Sequence, residues 1–164
     1  MNNWFQSKIS YTKEDEKGFI KKISETYLVD ALSYTEVEKR LYELLTPYIK
    51  NFDITTVARA KYTDVFHFED ADIWYRVKMS FELIDINNGS SKMATNTILL
   101  TATTVEQALE RLNEKMKTMV VDYEITEILK TNILEIFPYD YQLSEAPKGT
   151  VSLGISNESV VLEL

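Results

Sequence analysis

The stretch Trp4-Phe5-Gln6-Ser7-Lys8-Ile9-Ser10-Tyr11 occurs twice. It returns as Trp74-Tyr75-Arg76-Val77-Lys78-Met79-Ser80-Phe81, at an offset of 74 − 4 = 70, with Trp, Lys and Ser unchanged and most other positions keeping their character. A chain of 164 residues has room for one ordinary domain or for two very small units fused into a common core, and a fixed offset of this size points to the latter. From Gly18 the offset becomes 89 − 18 = 71, so the second copy's hairpin is one residue longer. On that register Leu28-Val29 maps to Leu99-Leu100, Ser33 to Thr104, Arg40-Leu41 to Arg111-Leu112 and Asp64-Val65-Phe66 to Glu135-Ile136-Phe137. The chain reads as a tandem duplication.

Hydrophobic period defines the elements of each copy. Residues 4–13 alternate as a strand, Glu14 to Gly18 form a charged turn, and a second strand covers about 19–31. Ser33-Tyr34-Thr35-Glu36 is a capping box. The helix it opens carries Val37, Leu41, Leu44, Leu45 and Tyr48 as one stripe and is expected to run to about Tyr48, with Pro47 and Asn51 marking its end. A third strand is expected over about 52–66. The pattern restarts with a strand at 73–85, a turn at Asn87-Asn88-Gly89-Ser90, a strand at 92–102, a cap at Thr104-Val105-Glu106-Gln107, a helix at 105–119 and a strand at 122–136. The fold class this predicts is α+β: two β-β-α-β units, mostly antiparallel sheet or sheets, and two helices packed on one face. Six strands in one merged sheet, or two sheets packed together, both satisfy the pattern. Residues 1–67 form the first repeat and 73–138 the second, the two expected to make one compact pseudo-twofold body, and 139–164 a tail without counterpart, expected to be partly ordered.

Composition narrows the chemistry. The hydrophobic fraction is 45% and the charged fraction 27%, which suits a globular chain. There is no cysteine, so a disulfide scaffold, a thiol nucleophile and a thiolate metal site are excluded, and a reducing cytoplasm fits. The first residues lack a basic and apolar leader, and no apolar run approaches the roughly 20 residues that span a bilayer. The net charge of −8 argues against broad nucleic-acid binding but leaves room for a local basic face. His67 is the only histidine, so a Ser-His-acid triad has one place to start; as a linker residue between Phe66 and Phe68 it reads more simply. Glu69, Asp70 and Asp72 lack calcium-loop spacing, and the four glycines form no phosphate-cradling loop. No enzyme, cofactor or metal is expected from these residues.

The positive signal is a sheet face. With the apolar strand positions turned toward the helices, Trp4 and Lys8 point the other way, as do Trp74, Arg76 and Lys78. On the third strands Arg59, Lys61 and Lys130 are expected to join them. Two tryptophan-plus-cation patches suit a protein interface, with tryptophan and arginine as anchors. They also suit single-stranded nucleic acid or a nucleotide, by stacking and phosphate pairing. A third reading has the tryptophans closing a contact between the copies while the cations solvate the sheet.

Trp-Phe-x-x-Lys-Ile at 4–9, Tyr-Leu-Val-Asp-Ala-Leu-Ser-Tyr-Thr-Glu-Val-Glu at 27–38, Trp-Tyr-Arg-Val-Lys-Met at 74–79 and Ile-Phe-Pro-Tyr at 136–139 together resemble an uncharacterised domain-of-unknown-function family of Bacteroidetes genomes and their phages. The likeness covers about residues 3–139. It implies a small cytoplasmic protein of a bacterium or its mobile elements and transfers no catalytic residue. The function expected is a non-enzymatic binding or interaction module, such as a phage accessory protein, with a protein partner or self-association. The alternative is a single-stranded nucleic-acid or nucleotide binder using the Trp/Arg/Lys face.

Overall fold

The computed structural model describes residues 3–140; the expectation for the tail lies, apart from Tyr139 and Asp140, outside the described residues. The elements in chain order are β1 (Trp4–Glu14), β2 (Ile20–Asp30), α1 (Tyr34–Leu45), β3 (Asp53–Ala60), β4 (Asp64–Phe66), β5 (Ile73–Ile84), β6 (Ser91–Ala102), α2 (Val105–Lys115), β7 (Tyr123–Lys130) and β8 (Ile133–Phe137). They build a mixed α+β fold with two four-stranded sheets, mostly antiparallel, of order β3-β1-β2-β8 and β4-β6-β5-β7. The two halves repeat one order of elements.

Local chemistry accounts for the turns and caps. At the first hairpin Asp15 Oδ1 accepts from the Lys17 and Phe19 amides at 2.9 Å each, and Gly18 takes φ +83°. At the second, Asp85 Oδ1 accepts from the Asn87 amide at 2.8 Å and Gly89 takes φ +70°, a backbone region where a side chain is strained. Ser33 caps α1 by accepting from the Glu36 amide at 3.2 Å, and Glu36 accepts from the Leu32 amide at 2.6 Å. Thr104 and Gln107 repeat this on α2, at 3.1 Å to the Gln107 amide and 2.7 Å from the Thr103 amide. Both helices stop earlier than their apolar stripes suggest. Pro47 cannot donate to the ladder, so α1 ends at Leu45 and a tight turn sends the Tyr48 and Ile49 amides to the Leu45 carbonyl at 2.9 and 2.8 Å. The Met119 amide likewise reaches the Met116 carbonyl at 2.9 Å, after α2.

The larger departure from expectation is in the third strand of each half. The span 52–66 is not one strand, and neither is 122–136. β3 ends at Ala60 because its partner does: Ala60 faces Trp4, the first residue of β1. The chain then turns through Lys61 to Thr63, the Thr63 amide donates to the Thr97 carbonyl at 2.8 Å, and β4 pairs in parallel with β6. β7 stops at Lys130 opposite Tyr75, and Thr131 donates from its amide (2.9 Å) and Oγ1 (2.7 Å) to the Trp74 carbonyl. β8 then pairs in parallel with β2. Among the described residues eight strands in two sheets replace the six of a merged sheet, and each sheet carries one helix rather than both helices sharing one face.

The described residues therefore divide into two compact units, one of residues 3–60 with 133–140, the other of Lys61–Asn132. In the first, Phe5, Ile9, Tyr27 and Val29 pack with Val37, Leu41 and Leu45 of α1, and β8 contributes Phe137, whose ring stacks on Tyr27 at 5.3 Å. In the second, Tyr75, Val77, Met79, Ile98 and Leu100 pack with Ala108 and Leu112 of α2.

One arginine per helix holds the added strand. Arg40 donates through Nη1 to the Asp30 carbonyl at the end of β2 and to the Phe137 carbonyl, and through Nη2 to the Pro138 carbonyl at 2.8 Å, with Tyr139 under its guanidinium at 5.7 Å. Arg111 donates to the Thr101 carbonyl at 2.8 Å, pairs with Asp70 at 2.5 Å and lies over Phe68 at 4.4 Å. Truncation removes a charged donor from part-buried carbonyls, so Arg40→Ala and Arg111→Ala are each expected to cost about 1–3 kcal/mol. Lys39→Ala, which removes only an exposed pair with Glu43, is expected to cost less than about 0.5 kcal/mol. Denaturant midpoints check this; an Arg40→Ala midpoint equal to that of Lys39→Ala would deny the arginine its role.

Candidate functional site

The tryptophan-bearing face of each sheet lies opposite its helix, since Phe5 and Ile9, or Tyr75 and Val77, occupy the helix side and the alternate residues turn away. The indoles, however, are not open. Trp4 is 5% exposed and Trp74 2%. Trp74 stacks on His67 at 5.5 Å with 25° between the rings, so the lone histidine is a ring partner.

The cations separate into three groups. Arg76 and Lys78 do flank Trp74 on this face, but both pair with Glu127 of β7, at 3.3 and 3.4 Å. The Arg76 hydrogen bond, then the Lys78 charge, holds the Glu127 carboxyl below the usual carboxylate range. Tyr62 lies near enough to Arg76 for that charge to oppose the upward push of burial on its phenol. Lys8 is exposed on the first sheet, and Lys61 is exposed in the β3–β4 connection. Arg59 and Lys130 are on the other side: Arg59 pairs with Phe5, its guanidinium 5.5 Å from that ring, and Lys130 pairs with Tyr75.

A β-bulge explains this misplacement. The β1–β3 register shifts between Lys8 and Ile9, so Ile54 and Val57, three residues apart, both pack on the helix side. The β5–β7 register shifts between Lys78 and Met79, with Ile125 and Ile128 in the same relation. Alternation carried through the bulge reverses every residue beyond it.

Sequence reasoning missed a buried acid. Glu25, 6% exposed, accepts from the Tyr11 hydroxyl at 2.7 Å and the Tyr27 hydroxyl at 2.6 Å. The signal was a carboxylate in phase with Ile23, Tyr27 and Val29 on an apolar strand face. Both phenols are buried, which closes the cluster to a substrate. Among the described residues no three His, Cys, Asp or Glu side chains are grouped to hold a metal ion.

Two shallow grooves lie at the hairpin ends. One, of about 320 Å³, is lined by charged residues of the first hairpin, among them Lys13, Glu14, Glu16 and Lys21. The other, of about 460 Å³, belongs to the second unit and is lined by Phe81, Ile84, Met93 and Val121 with the acids Glu82, Asp122 and Glu124. Sequence reasoning missed it as well, because Ile84 and Met93 fall where the strands are nominally polar.

A family model described as a domain of unknown function, DUF4494, matches residues 3–139. The chain belongs to this family. No curated protein matches the chain, and no solved structure does. Among the described residues, no helix is long and apolar enough to cross a membrane.

Two outcomes test the geometry. Iodide is expected to leave the tryptophan fluorescence largely unquenched; free access to either indole would contradict their burial. Burial, then the Glu25 charge and hydrogen bond, raises the Tyr27 phenol far above its ordinary value, and burial raises Tyr48 as well. In the unfolded chain tyrosine ionises near pH 10, while folded Tyr27 stays protonated. Its contribution is thus complete below about pH 10 and lost as pH rises, at up to about 1.4 kcal/mol per pH unit. Tyr27→Phe is expected to flatten the alkaline decline in denaturant midpoint; an unchanged slope would contradict the assignment.

Proposed function

We propose that this protein is a non-enzymatic interaction module of the cytoplasm, built by tandem duplication of a β-β-α-β unit, that acts by engaging a protein partner. One observation carries the reading. At the end of the second hairpin Leu83 is 49% exposed, Ile84 65%, Ile86 96% and Met93 62%. The corresponding residues of the first hairpin are Lys13, Glu14, Glu16 and Lys22. The same scaffold thus folds with charge at these positions, so their apolar character serves something other than the fold. Exposed apolar clusters rimmed by polar residues mark interaction surfaces. The first hairpin exposes Phe19 and Ile20, but among Lys13, Lys21 and Lys22.

Matching details support the duplication. The bulges fall at Lys8/Ile9 and Lys78/Met79, and Thr55 and Thr126 donate to the carbonyls of Lys8 and Lys78 at 3.1 and 3.3 Å. Arg40 and Arg111 both reach the carbonyl at the end of the second strand. The absence of cysteine supports a reducing compartment. The bacterial or phage setting rests on the family resemblance alone. No observation favours the nucleic-acid reading: the indoles offer no open stacking plane, and Glu127 occupies Arg76 and Lys78.

A photoreactive residue placed at Met93 or Ile86 in the protein's own cells is expected to yield discrete protein adducts. The same residue at Lys39, on the exposed face of α1, is expected to yield none. Identical adducts at all three positions, or none anywhere, would sink the proposal.

A further inference from the structure

The groove of the second unit has a backbone edge as well as a floor. The β5–β6 ladder continues to Ile84 opposite Ser91, whereas the β5–β7 ladder ends at Phe81 opposite Tyr123. Among the described residues Glu82 to Ile84 therefore have a ladder partner on one side only, and Glu82 and Ile84 line the groove together with Met93 and Val121. Unpaired strand edges are templates for added strands.

Charge chooses the occupant. Glu82, Asp122 and Glu124 line the groove. At corresponding positions the first unit has Thr12, Asn51 and Asp53, and where the groove has Met93 and Val121 the first unit has Lys22 and Lys50. Relative to its counterpart the second unit has lost two lysines and gained two acids around an apolar floor. We infer that this groove takes an extended basic segment of another protein, added as a strand along Glu82–Ile84, with apolar side chains over Ile84, Met93 and Val121 and Lys or Arg toward the three carboxylates. This identifies the partner chemistry of the proposed interaction module and rests on that reading. A second copy, at net charge −8, is electrostatically disfavoured. So are this chain's residues 141–164, which carry Glu145, Glu158 and Glu163 against Lys148.

The probe is an acetylated, amidated peptide of alternating Lys and Val, with a Glu–Val peptide as control, titrated into the full chain by calorimetry. Binding of the Lys–Val peptide alone is expected, weakening several-fold as salt rises from about 50 to 300 mM. Met93→Lys with Val121→Lys installs residues that the first unit accommodates, and is expected to weaken binding about tenfold or more. A pair of Lys→Ala changes at Lys21 and Lys22 in the first unit is expected to leave binding unchanged. Equal binding of both peptides, no binding of either, or full affinity in the double-lysine variant would overturn the assignment. So would a dimer by light scattering that the same variant dissolves, or displacement of the probe by a peptide of residues 141–164. Each of these results leaves the cross-linking experiment at Met93 free to succeed, so a wrong partner chemistry is distinguishable from the absence of any partner.

Discussion

Arg40 and Arg111 do in each unit what neither sheet can do alone, which is to fix a fourth strand from outside the β-β-α-β segment: β8 reaches the first unit from far along the chain, and β4 directly precedes β5 in the second. Each sits on the helix, reaches a carbonyl at the end of the second strand, and continues to the end of the added strand or the segment just past it: Phe137 and Pro138 for Arg40, Phe68 and Asp70 for Arg111. A guanidinium suits this place because it offers several donors in one plane and an apolar face for an aromatic ring. What it secures is substantial. β8 brings Phe137, fully buried against Tyr27, and burying one such side chain is worth roughly 1.5–3 kcal/mol. Units this small bury little apolar surface by themselves, so the added strands matter: β8 places Phe137 in the first core, and β4 sets Phe66, partly buried, against the second.

Much of this was legible locally. The hairpins announce themselves through Asp15 and Gly18, and through Asp85 and Gly89, and the helices through Ser33 and Thr104. Each of these signals is chemistry between residues a few positions apart. The break between β3 and β4 has no such signal: Lys61, Tyr62 and Thr63 contain neither glycine nor proline. It is set by where β1 begins, a fact of pairing some sixty residues away in sequence. The same holds for the bulges. Ile54 and Val57, three apart on one face, are the only local trace of the irregularity that turned Arg59 toward Phe5. The candidate face thus came apart for a reason of register rather than of residue type: Arg76 and Lys78 were placed correctly, but the cross-strand acid that occupies them, Glu127, comes from a strand whose phase the bulge had hidden.

The polar core of the first unit shows how far residues at corresponding positions differ. Tyr11, Glu25 and Tyr27 form a hydrogen-bonded cluster, whereas the second unit has Phe81, Asn96 and Ile98 at the same places. A buried carboxylate is costly unless its oxygens are occupied, and here one phenol serves each. Changing one member alone strands the others, so such a cluster is kept or replaced as a group.

The hairpin ends differ in the opposite sense, the second unit placing apolar residues on the outside rather than polar ones on the inside. A structural explanation for exposed Ile84, Ile86 and Met93 must say why the same turn in the same topology manages with Glu14, Glu16 and Lys22. Solubility pulls the other way, because exposed apolar side chains beside an open strand edge invite association. The acids around the groove resolve that tension: Glu82, Asp122 and Glu124 on a chain of net charge −8 repel copies of the same chain while leaving the edge open to a cationic one. Charge at the rim then does in solution what a covering strand does elsewhere in the sheet, and it admits one class of partner while doing so.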